Sequence, residues 1–291
     1  MKVVVTIPAY NEEETIGDVI LNIQKTMGRT NHEYEIQVLN DGSTDKTLNI
    51  AKGLGATVFS HPFNRGLAQT FRDEIYYALQ SDADVIVHTD ADGQYQSDEI
   101  LNLIKPIEDG EAELVLGSRF LGAIEYMPLI KKLGNRAFSR VVSRISGMKI
   151  SDAQTGFRSF TREVAEKVKI TSNFTYTQEQ IIKAAEKNYR IREVPIYFAR
   201  RSAGNSRLMK NPLDYSIRAG INLFRIYRDF APLKFFGLFG VLLIILAIII
   251  FIYNTLYMDS IFNVTITVLI LSGMQIILFG FLAEMIRDGV K

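Results

Sequence analysis

The sequence predicts an α/β protein in which a mostly parallel, doubly wound sheet is followed by two transmembrane helices. In the N-terminal part, short β-branched runs alternate with segments of helical periodicity, as they do in successive βαβ units. Near the C-terminus, residues 235–253 and 261–282 are apolar stretches, each long enough to cross a hydrocarbon layer of roughly 30 Å. A pair of buried core helices is the alternative interpretation of these stretches.

The elements of the predicted sheet follow from runs of Val, Ile, Tyr and Phe that end at Pro, Gly, Asn or Asp. The predicted strands are residues 3–7, 34–39, 56–60, 84–89, 114–116 and 190–198. The predicted helices are residues 12–27, 46–53, 66–79, 128–148, 177–187 and 213–230. With 291 residues, 47% of them hydrophobic, the chain can bury one sizeable core beside a smaller apolar region.

Three polar clusters follow predicted strands, at residues 8–12, 40–43 and 90–92. Ligands of parallel sheets bind outside the carboxyl ends of the strands, so this convergence predicts a nucleotide site. Asp90 and Asp92 suit a hard divalent cation that keeps positions for water and phosphate oxygens. An acidic surface loop before a helix at Ser97 is the alternative. No Gly-x-Gly-x-x-Gly follows the first strand, and no Walker lysine loop occurs.

The charges next to the apolar stretches predict their orientation. The turn between them, residues 254–260, contains no Lys or Arg. The nearest basic residues lie on the outer sides of the pair: Arg225, Arg228, Lys234, Arg287 and Lys291. The positive-inside rule therefore predicts an integral membrane protein whose large N-terminal domain and C-terminus are cytoplasmic. The chain has no cysteine, which excludes disulfides and thiol catalysis, and it shows no nucleic-acid-binding signature.

Several motifs carry a resemblance to a known family. Those that recur in its order and spacing are Ile7-Pro-Ala-Tyr-Asn-Glu-Glu13, Asn40-Asp-Gly-Ser-Thr-Asp45, Asn64-Arg-Gly66, Asp90-Ala-Asp-Gly-Gln94 and Gly117-Ser-Arg119. The chain thereby resembles family-two inverting glycosyltransferases with a GT-A fold, which is Rossmann-like. Asp152-Ala-Gln-Thr-Gly-Phe-Arg158 and Glu193-Val-Pro-Ile-x-Phe-x-x-Arg-x-x-Gly-x-Ser206 make it similar to polyprenyl-phosphate glycosyltransferases of the dolichol-phosphate mannose synthase type.

The resemblance implies a hexosyltransferase that uses a nucleotide sugar, GDP-mannose or UDP-glucose in type, and Mg²⁺ or Mn²⁺. Its implied nucleotide-binding residues are Pro8, Ala9, Tyr10, Glu12, Asp41 and Asp90, with Asp41 on the base. Its implied metal ligands are Asp90, Asp92 and Gln94, and its implied catalytic residues are Asp92, Arg119 and Arg201. Relatives often have Asp at Asn40 and small residues near Ala68, Thr70 and Glu74, so base and sugar identity stay open.

The chemistry of the acceptor predicts cations rather than a general base. A lipid phosphate with a second pKa near 6 is largely dianionic at pH 7 and is already a nucleophile. It must approach an anionic diphosphate, so arginine and lysine are needed. The candidates for the dolichyl or polyprenyl phosphate site are Arg119, Lys132, Asn135, Arg136, Arg201 and Arg207. Asp152 and Glu179 are acids that could serve as a base for another acceptor.

Two helices are predicted to lie at the lipid bilayer. Along residues 128–148, Lys132, Arg136, Arg140 and Arg144 recur every four residues opposite an apolar side that includes Ile130. A domain helix with a solvated basic face is the alternative. The predicted divisions are a GT-A domain at 1–210, a junction helix at 211–232 and a two-helix transmembrane region at 233–291. Homo-oligomer formation stays open.

Other functions share some of these features. A processive polysaccharide synthase has the early motifs, but it also has a Gln-x-x-Arg-Trp sequence, and this chain contains no tryptophan. A transferase for a soluble or saccharide acceptor would use an acidic general base. A non-catalytic membrane protein could use the fold only to bind a nucleotide, although Asp90, Asp92, Arg119 and Arg201 together argue against that.

Overall fold

The computed structural model describes residues 1–173, 176–201, 212–257 and 264–289. The chain divides into two compact units, Met1–Ile217 and Arg218–Lys291. The domain boundaries inferred from the sequence, at 210 and 232, stay predictions.

The first unit is built on a sheet of seven strands in the order β3-β2-β1-β4-β6-β5-β7. The strands are β1 (Lys2–Ala9), β2 (Glu33–Asn40), β3 (Thr57–Ser60), β4 (Val85–His88), β5 (Leu114–Ile124), β6 (Arg158–Thr161) and β7 (Ile191–Phe198). Strand β1 pairs in parallel with β2 and β4, and β2 with β3. Strands β5 and β7 are also parallel, whereas β6 runs antiparallel to both β4 and β5. The α/β class is confirmed, and the antiparallel β6 was not predicted.

Helices connect and cover these strands. They are α1 (Ile16–Met27), α2 (Thr47–Gly53), α3 (Leu67–Gln80), α4 (Ile100–Glu108), α5 (Leu129–Ser146), α6 (Arg162–Lys167) and α7 (Tyr176–Glu186). Helix α1 begins four residues later than the sequence predicted at Glu12, because the Glu12 carbonyl accepts the amides of Thr15 and Ile16 in a turn that precedes the helix. This turn leaves the Glu12 side chain at the end of β1.

The hydrophobic core lies against the central strands. Val3, Val5 and Ile7 of β1 are fully buried and belong to one cluster with Ile16 and Ile20 of α1. The intervening residues of β1, such as Val4, are buried as well, since helices cover both faces of a parallel sheet. The sheet is therefore a rigid base for the loops that leave its carboxyl ends.

The second unit is a helical hairpin. Helix α8 (Pro212–Phe230) contains the boundary between the units, and α9 (Pro232–Tyr257) and α10 (Val264–Gly289) follow it. Gly240 and Gly273 are the point of closest approach, because a Cβ on Gly240 would lie 2.5 Å from the Gly273 carbonyl oxygen. Both long helices are apolar enough to cross a membrane, and only 17% of each apolar segment is buried. That exposure does not fit the alternative of a buried core pair.

Candidate active site

The three polar clusters predicted from the sequence meet at one edge of the sheet. The Asp41 amide donates to the Ala9 carbonyl at 2.8 Å, which joins the ends of β2 and β1. Thr15 Oγ1 donates to the Ala91 carbonyl at 2.8 Å, which ties the loop after β4 to the start of α1. We call this edge the rim. Pro8 and Tyr10 are partly buried there, and Ala9 is buried.

Asp90 and Asp92 form a partly buried acidic pair on the rim. Burial, and then the charge of Asp90, raise the pKa of Asp92 to about 6. Asp90 packs so closely on Gly156 that a Cβ there would lie 3.1 Å from its Oδ1. Gln94 donates its backbone amide to Asp92 at 3.1 Å and its side-chain amide to the Ala199 carbonyl at 3.0 Å.

The acidic pair fits the chemistry of a divalent cation. No group of three or more His, Cys, Asp or Glu side chains with metal-binding geometry occurs in the described ranges. Mg²⁺ and Mn²⁺ need no such cage, because they take one or two carboxylates and complete their shell with water and phosphate oxygens. The carboxylates of Asp90 and Asp92 are therefore a suitable oxygen donor set for such an ion.

Arg201 connects two of the predicted groups. Its Nη2 lies 2.7 Å and 2.9 Å from the two carboxylate oxygens of Glu12, and its Nη1 lies 3.9 Å from Asp92 Oδ2. This residue follows β7 directly, and its guanidinium reaches across to the ends of β1 and β4. The structure thus brings together a predicted nucleotide-binding residue, a predicted metal ligand and a predicted phosphate-binding residue.

Arg119 is a buried arginine that Asp152 orients. Its Nε and Nη2 donate to Asp152 Oδ2 and Oδ1 at 2.6 Å and 2.8 Å. The guanidinium carbon lies 5.2 Å from the centre of the Phe198 ring. Burial lowers the pKa of Arg119, but hydrogen bonding to Asp152 outweighs this effect and raises the pKa above its ordinary value. Asp152 itself is fixed by Glu193, which accepts the Asp152 amide at 3.0 Å. Its carboxylate is therefore committed to the guanidinium.

Helix α5 contributes the predicted Asn135 and adds Lys131, which the sequence analysis missed. Asn135 is buried, and in the amide orientation that satisfies its contacts it accepts from Arg119 Nη2 at 3.2 Å and donates to the Lys131 carbonyl at 3.1 Å. Burial, and then the charge of Arg119, lower the pKa of Lys131, and the charges of Asp92, Asp90 and Arg201 also act on it. Lys131 thus lies among the site's charges.

The polar residues in the first half of α5 divide into two stripes. Lys131 and Asn135 are four residues apart and share the stripe that contains the site contacts. Lys132 and Arg136 share the next stripe, and the Arg136 guanidinium lies over the Phe120 ring at 5.5 Å. The helical repeat could have indicated that Asn135 belongs with Lys131, but only Arg119 shows which stripe faces the rim. Arg207 lies outside the described residues.

Glu179 has a structural role in loop anchoring. Its carboxylate accepts the backbone amides of Thr171 and Ser172 at 2.9 Å and 2.8 Å, and it pairs with Lys183 at 2.7 Å. With only 1% of its surface exposed, Glu179 is saturated by these donors. The alternative role of this acid as a general base is not supported by these contacts.

The fold and the rim define a glycosyltransferase, and comparison with known families agrees. Residues 4–169 match the family described as glycosyl transferase family 2, and residues 231–288 match the GtrB C-terminal hairpin. The chain belongs to glycosyl transferase family 2. The hairpin match and the two apolar helices are features of a membrane protein.

Similar proteins include named lipid-phosphate sugar transferases. The chain is 34% identical over 205 residues to a dolichyl-phosphate hexose transferase of Haloferax volcanii, covering 70% of this chain and 85% of the relative. It is 32% identical over 214 residues to a UDP-N-acetylglucosamine–dolichyl-phosphate N-acetylglucosaminyltransferase of Methanococcus voltae, covering 65% and 82%. It is 33% identical over 218 residues to a dolichol-phosphate mannosyltransferase of Pyrococcus furiosus, covering 72% and 59%.

Solved structures share the GT-A fold at lower identity. Glucosyl-3-phosphoglycerate synthase of Mycobacterium tuberculosis, with phosphoglyceric acid bound, superposes with a TM-score of 0.61 at 20% identity and covers 76% of this chain and 79% of that chain. The same enzyme with Mn²⁺, UDP-glucose and phosphoglyceric acid gives a TM-score of 0.59 at 21% identity, covering 75% and 80%. These likenesses concern the fold.

Proposed function

We propose that this glycosyltransferase moves a hexose from a nucleotide diphosphate sugar to dolichyl or polyprenyl phosphate, with inversion. The product is a lipid-phosphate-linked sugar for glycan or glycoprotein assembly. The observation that carries the proposal is the arrangement of cations around the acidic pair: Arg119, Lys131 and Arg201 lie together with Asp90 and Asp92. Dolichyl phosphate is named as the acceptor of several similar proteins.

The state of the other acids supports an acceptor that needs no base. Asp152 is held by Arg119, Glu12 by Arg201, and Asp41 by backbone amides of the 65–66 segment. A dianionic phosphate brings its own nucleophilic oxygen, so transfer to it requires no proton acceptor. A hydroxyl acceptor would require a free carboxylate, and these three are engaged.

The roles of the residues follow from where charge develops. Asp90, Asp92 and Gln94 would hold Mg²⁺ or Mn²⁺, and the ion would neutralise charge on the departing diphosphate. Arg119, aligned by Asp152 and Asn135, offers its guanidinium to the incoming phosphate and offsets repulsion between two anions. Lys131 and Arg201 add positive charge beside the acidic pair. Pro8, Ala9, Tyr10 and Glu12 line the nucleotide side.

The start of α5 supports a lipid acceptor. Leu129, Ile130 and Leu133 are 76%, 44% and 66% exposed, so the first turns of this helix present apolar side chains to the surroundings. The sequence analysis placed Ile130 on the apolar side of this helix; further along, Phe138, Val141 and Val142 are buried, whereas Ile130 is exposed. Exposed leucines beside Lys132, Arg136 and Arg140 suit the boundary between lipid headgroups and acyl chains.

We place the catalytic domain and the C-terminus on the cytoplasmic side, from the distribution of Lys and Arg around α9 and α10. On this proposal the helix at 128–148 and the junction helix at 211–232 lie at the bilayer surface. Arg136, Arg207 and Lys132 would then contact lipid phosphate or headgroups. Phosphate-bearing lipid would reach the rim without leaving the membrane.

The test offers labelled nucleotide sugars to the purified full-length protein in lipid nanodiscs, with polyprenyl phosphate or with soluble sugars. We expect label in an organic-extractable product that mild acid hydrolyses, and none after chelation of divalent cations. The anomeric configuration of the product is read by NMR, and inversion is expected. Label that appears only on a soluble sugar would contradict the proposal and favour a base-assisted transferase.

A further inference from the structure

Asp41 is held in a network that includes an otherwise unassigned histidine. Its Oδ1 accepts the Arg65 amide at 2.8 Å, and its Oδ2 accepts the Gly66 amide at 3.0 Å. His61 Nδ1 lies 2.7 Å from the same Oδ1, and His61 Nε2 lies 2.9 Å from Asp73 Oδ2. The His61 ring therefore bridges the two carboxylates and covers Oδ1 of Asp41.

The network leaves Asp41 with a limited capacity for further donors. Each carboxylate oxygen has two lone-pair sites. Oδ1 has used both, on the Arg65 amide and on His61 Nδ1, whereas Oδ2 has used one, on the Gly66 amide. Within the described part of the chain, Asp41 can therefore take one additional hydrogen-bond donor, and it takes that donor at Oδ2.

The place of Asp41 on the rim fits the base of a bound nucleotide. Strand β1 separates β2, which leads to Asp41, from β4, which leads to Asp90 and Asp92. Two strand spacings amount to about 10 Å, which a ribose and a diphosphate can bridge. On the opposite side of β4 lie Arg119 and Asp152, which the proposed function assigns to the acceptor. The base is therefore directed toward the end of β2.

The loop that carries His61 is built to stay close to Asp41. Gly42 has a left-handed φ of +73°, and a Cβ on it would lie 2.6 Å from the Phe63 carbonyl carbon. The chain at Phe63 thus crosses directly over Gly42, which brings the Arg65 and Gly66 amides onto the carboxylate. Arg65 Nη1 pairs with Asp73 Oδ2 at 3.6 Å, and with 43% of its side chain exposed the guanidinium keeps further donors beside this corner.

We propose that this corner selects uridine nucleotides, with His61 as a specificity-determining residue; the inference rests on the proposed function. Uracil presents a single N–H between two carbonyl oxygens, which matches one open acceptor site on Asp41 and a neighbouring guanidinium donor. Guanine presents two adjacent N–H donors and needs both oxygens of a carboxylate. Because His61 fills Oδ1, the second guanine donor stays unpaired, which disfavours GDP-sugars by roughly ten- to hundredfold.

The experiment measures Mn²⁺-dependent binding of UDP and GDP to the full-length protein by isothermal titration calorimetry. The wild type should bind UDP at least about tenfold more tightly than GDP. His61→Ala opens Oδ1 to a second donor, so the UDP to GDP preference should fall toward unity even where both affinities decrease. The control is His32→Ala, which removes another histidine paired with a carboxylate, Glu108, at 3.0 Å, near the start of β2. It should keep the wild-type ratio.

Several outcomes are decisive. Equal or tighter GDP binding by the wild type, or a ratio that His61→Ala leaves unchanged, would overturn the uridine assignment. Mn²⁺ binding and thermal unfolding of each variant establish that a changed ratio does not come from a damaged fold. If a GDP-sugar gives lipid-linked product at least as efficiently as the UDP-sugar, only this inference fails. If neither nucleotide binds and no donor gives lipid-linked product, the proposed function fails with it.

Discussion

The two sides of the rim carry opposite charges and are stabilised in opposite ways. The side at β2, β1 and β4 is acidic: backbone amides hold Asp41 and Asp92, Arg201 holds Glu12, and Asp90 lies beside Asp92. The side at β5 and α5 is basic, and Asp152 aligns its central cation, Arg119. The difference indicates how each side meets an anion. The acidic side fits a phosphate through a bound cation, and the basic side fits one directly.

Removing the charge of Asp92 should have the largest effect. Asp92→Asn keeps the size of the side chain but removes a proposed metal ligand, so transfer should fall by at least about a thousandfold. Mn²⁺ affinity, measured by electron paramagnetic resonance, should fall with it. The control is Asp98→Asn, whose side chain is 77% exposed and pairs with Arg29. An Asp92→Asn protein that binds Mn²⁺ normally would remove this residue from the metal site.

Arg119 tests the basic side with charge kept constant. Arg119→Lys retains a cation but loses the two-bond alignment by Asp152, so the KM for polyprenyl phosphate should rise by about tenfold or more, with donor KM little changed. Arg190→Lys is the matched control, because Arg190 also makes a two-bond pair, with Glu113, but its side chain is 58% exposed. A donor KM that rose instead would place Arg119 on the nucleotide side.

Two neighbouring lysines on α5, Lys131 and Lys132, test which stripe of the helix faces the acceptor. Lys131→Gln should raise the KM for polyprenyl phosphate by about tenfold, because Lys131 interacts with Arg119 and the acidic pair. Lys132→Gln, one residue away, should change that KM less than about threefold. The reverse order of effects would show that the stripe of Lys132 and Arg136 faces the acceptor, as the sequence analysis assumed.

Charge reversal further along α5 should have the smallest effect. Arg136→Glu with Arg140→Glu should raise the acceptor KM by roughly three- to tenfold in anionic nanodiscs, and less in neutral ones, because each basic residue near an anionic surface contributes about 1 kcal/mol. Arg162→Glu with Lys167→Glu on α6 is the control for net charge. An unchanged acceptor KM would exclude α5 as the approach for the lipid.

Much of the fold could be predicted from the sequence because most strands are marked by the residue types of a few consecutive positions. Strands such as β1 and β4 are short β-branched runs, and Asp41 and Asp90 lie within two residues of the ends of β2 and β4. Strand β6 was missed because Arg158–Thr161 has little apolar character of its own. Its pairing partners β4 and β5 lie far away in sequence, and they supply the burial that makes it a strand.

The sequence alone determined the class of the protein, the acidic pair and the apolar hairpin, because these depend on composition and on spacing along a few consecutive residues. Tertiary structure decided which charges meet. Arg119 joins Asp152, Arg201 reaches Glu12, and Lys131 rather than its neighbour lies near the acids. Such contacts depend on how segments distant in sequence pack around one sheet. If a helix turned about its axis by the angle of one residue, different side chains would face the site, although the sequence pattern of the helix would be the same.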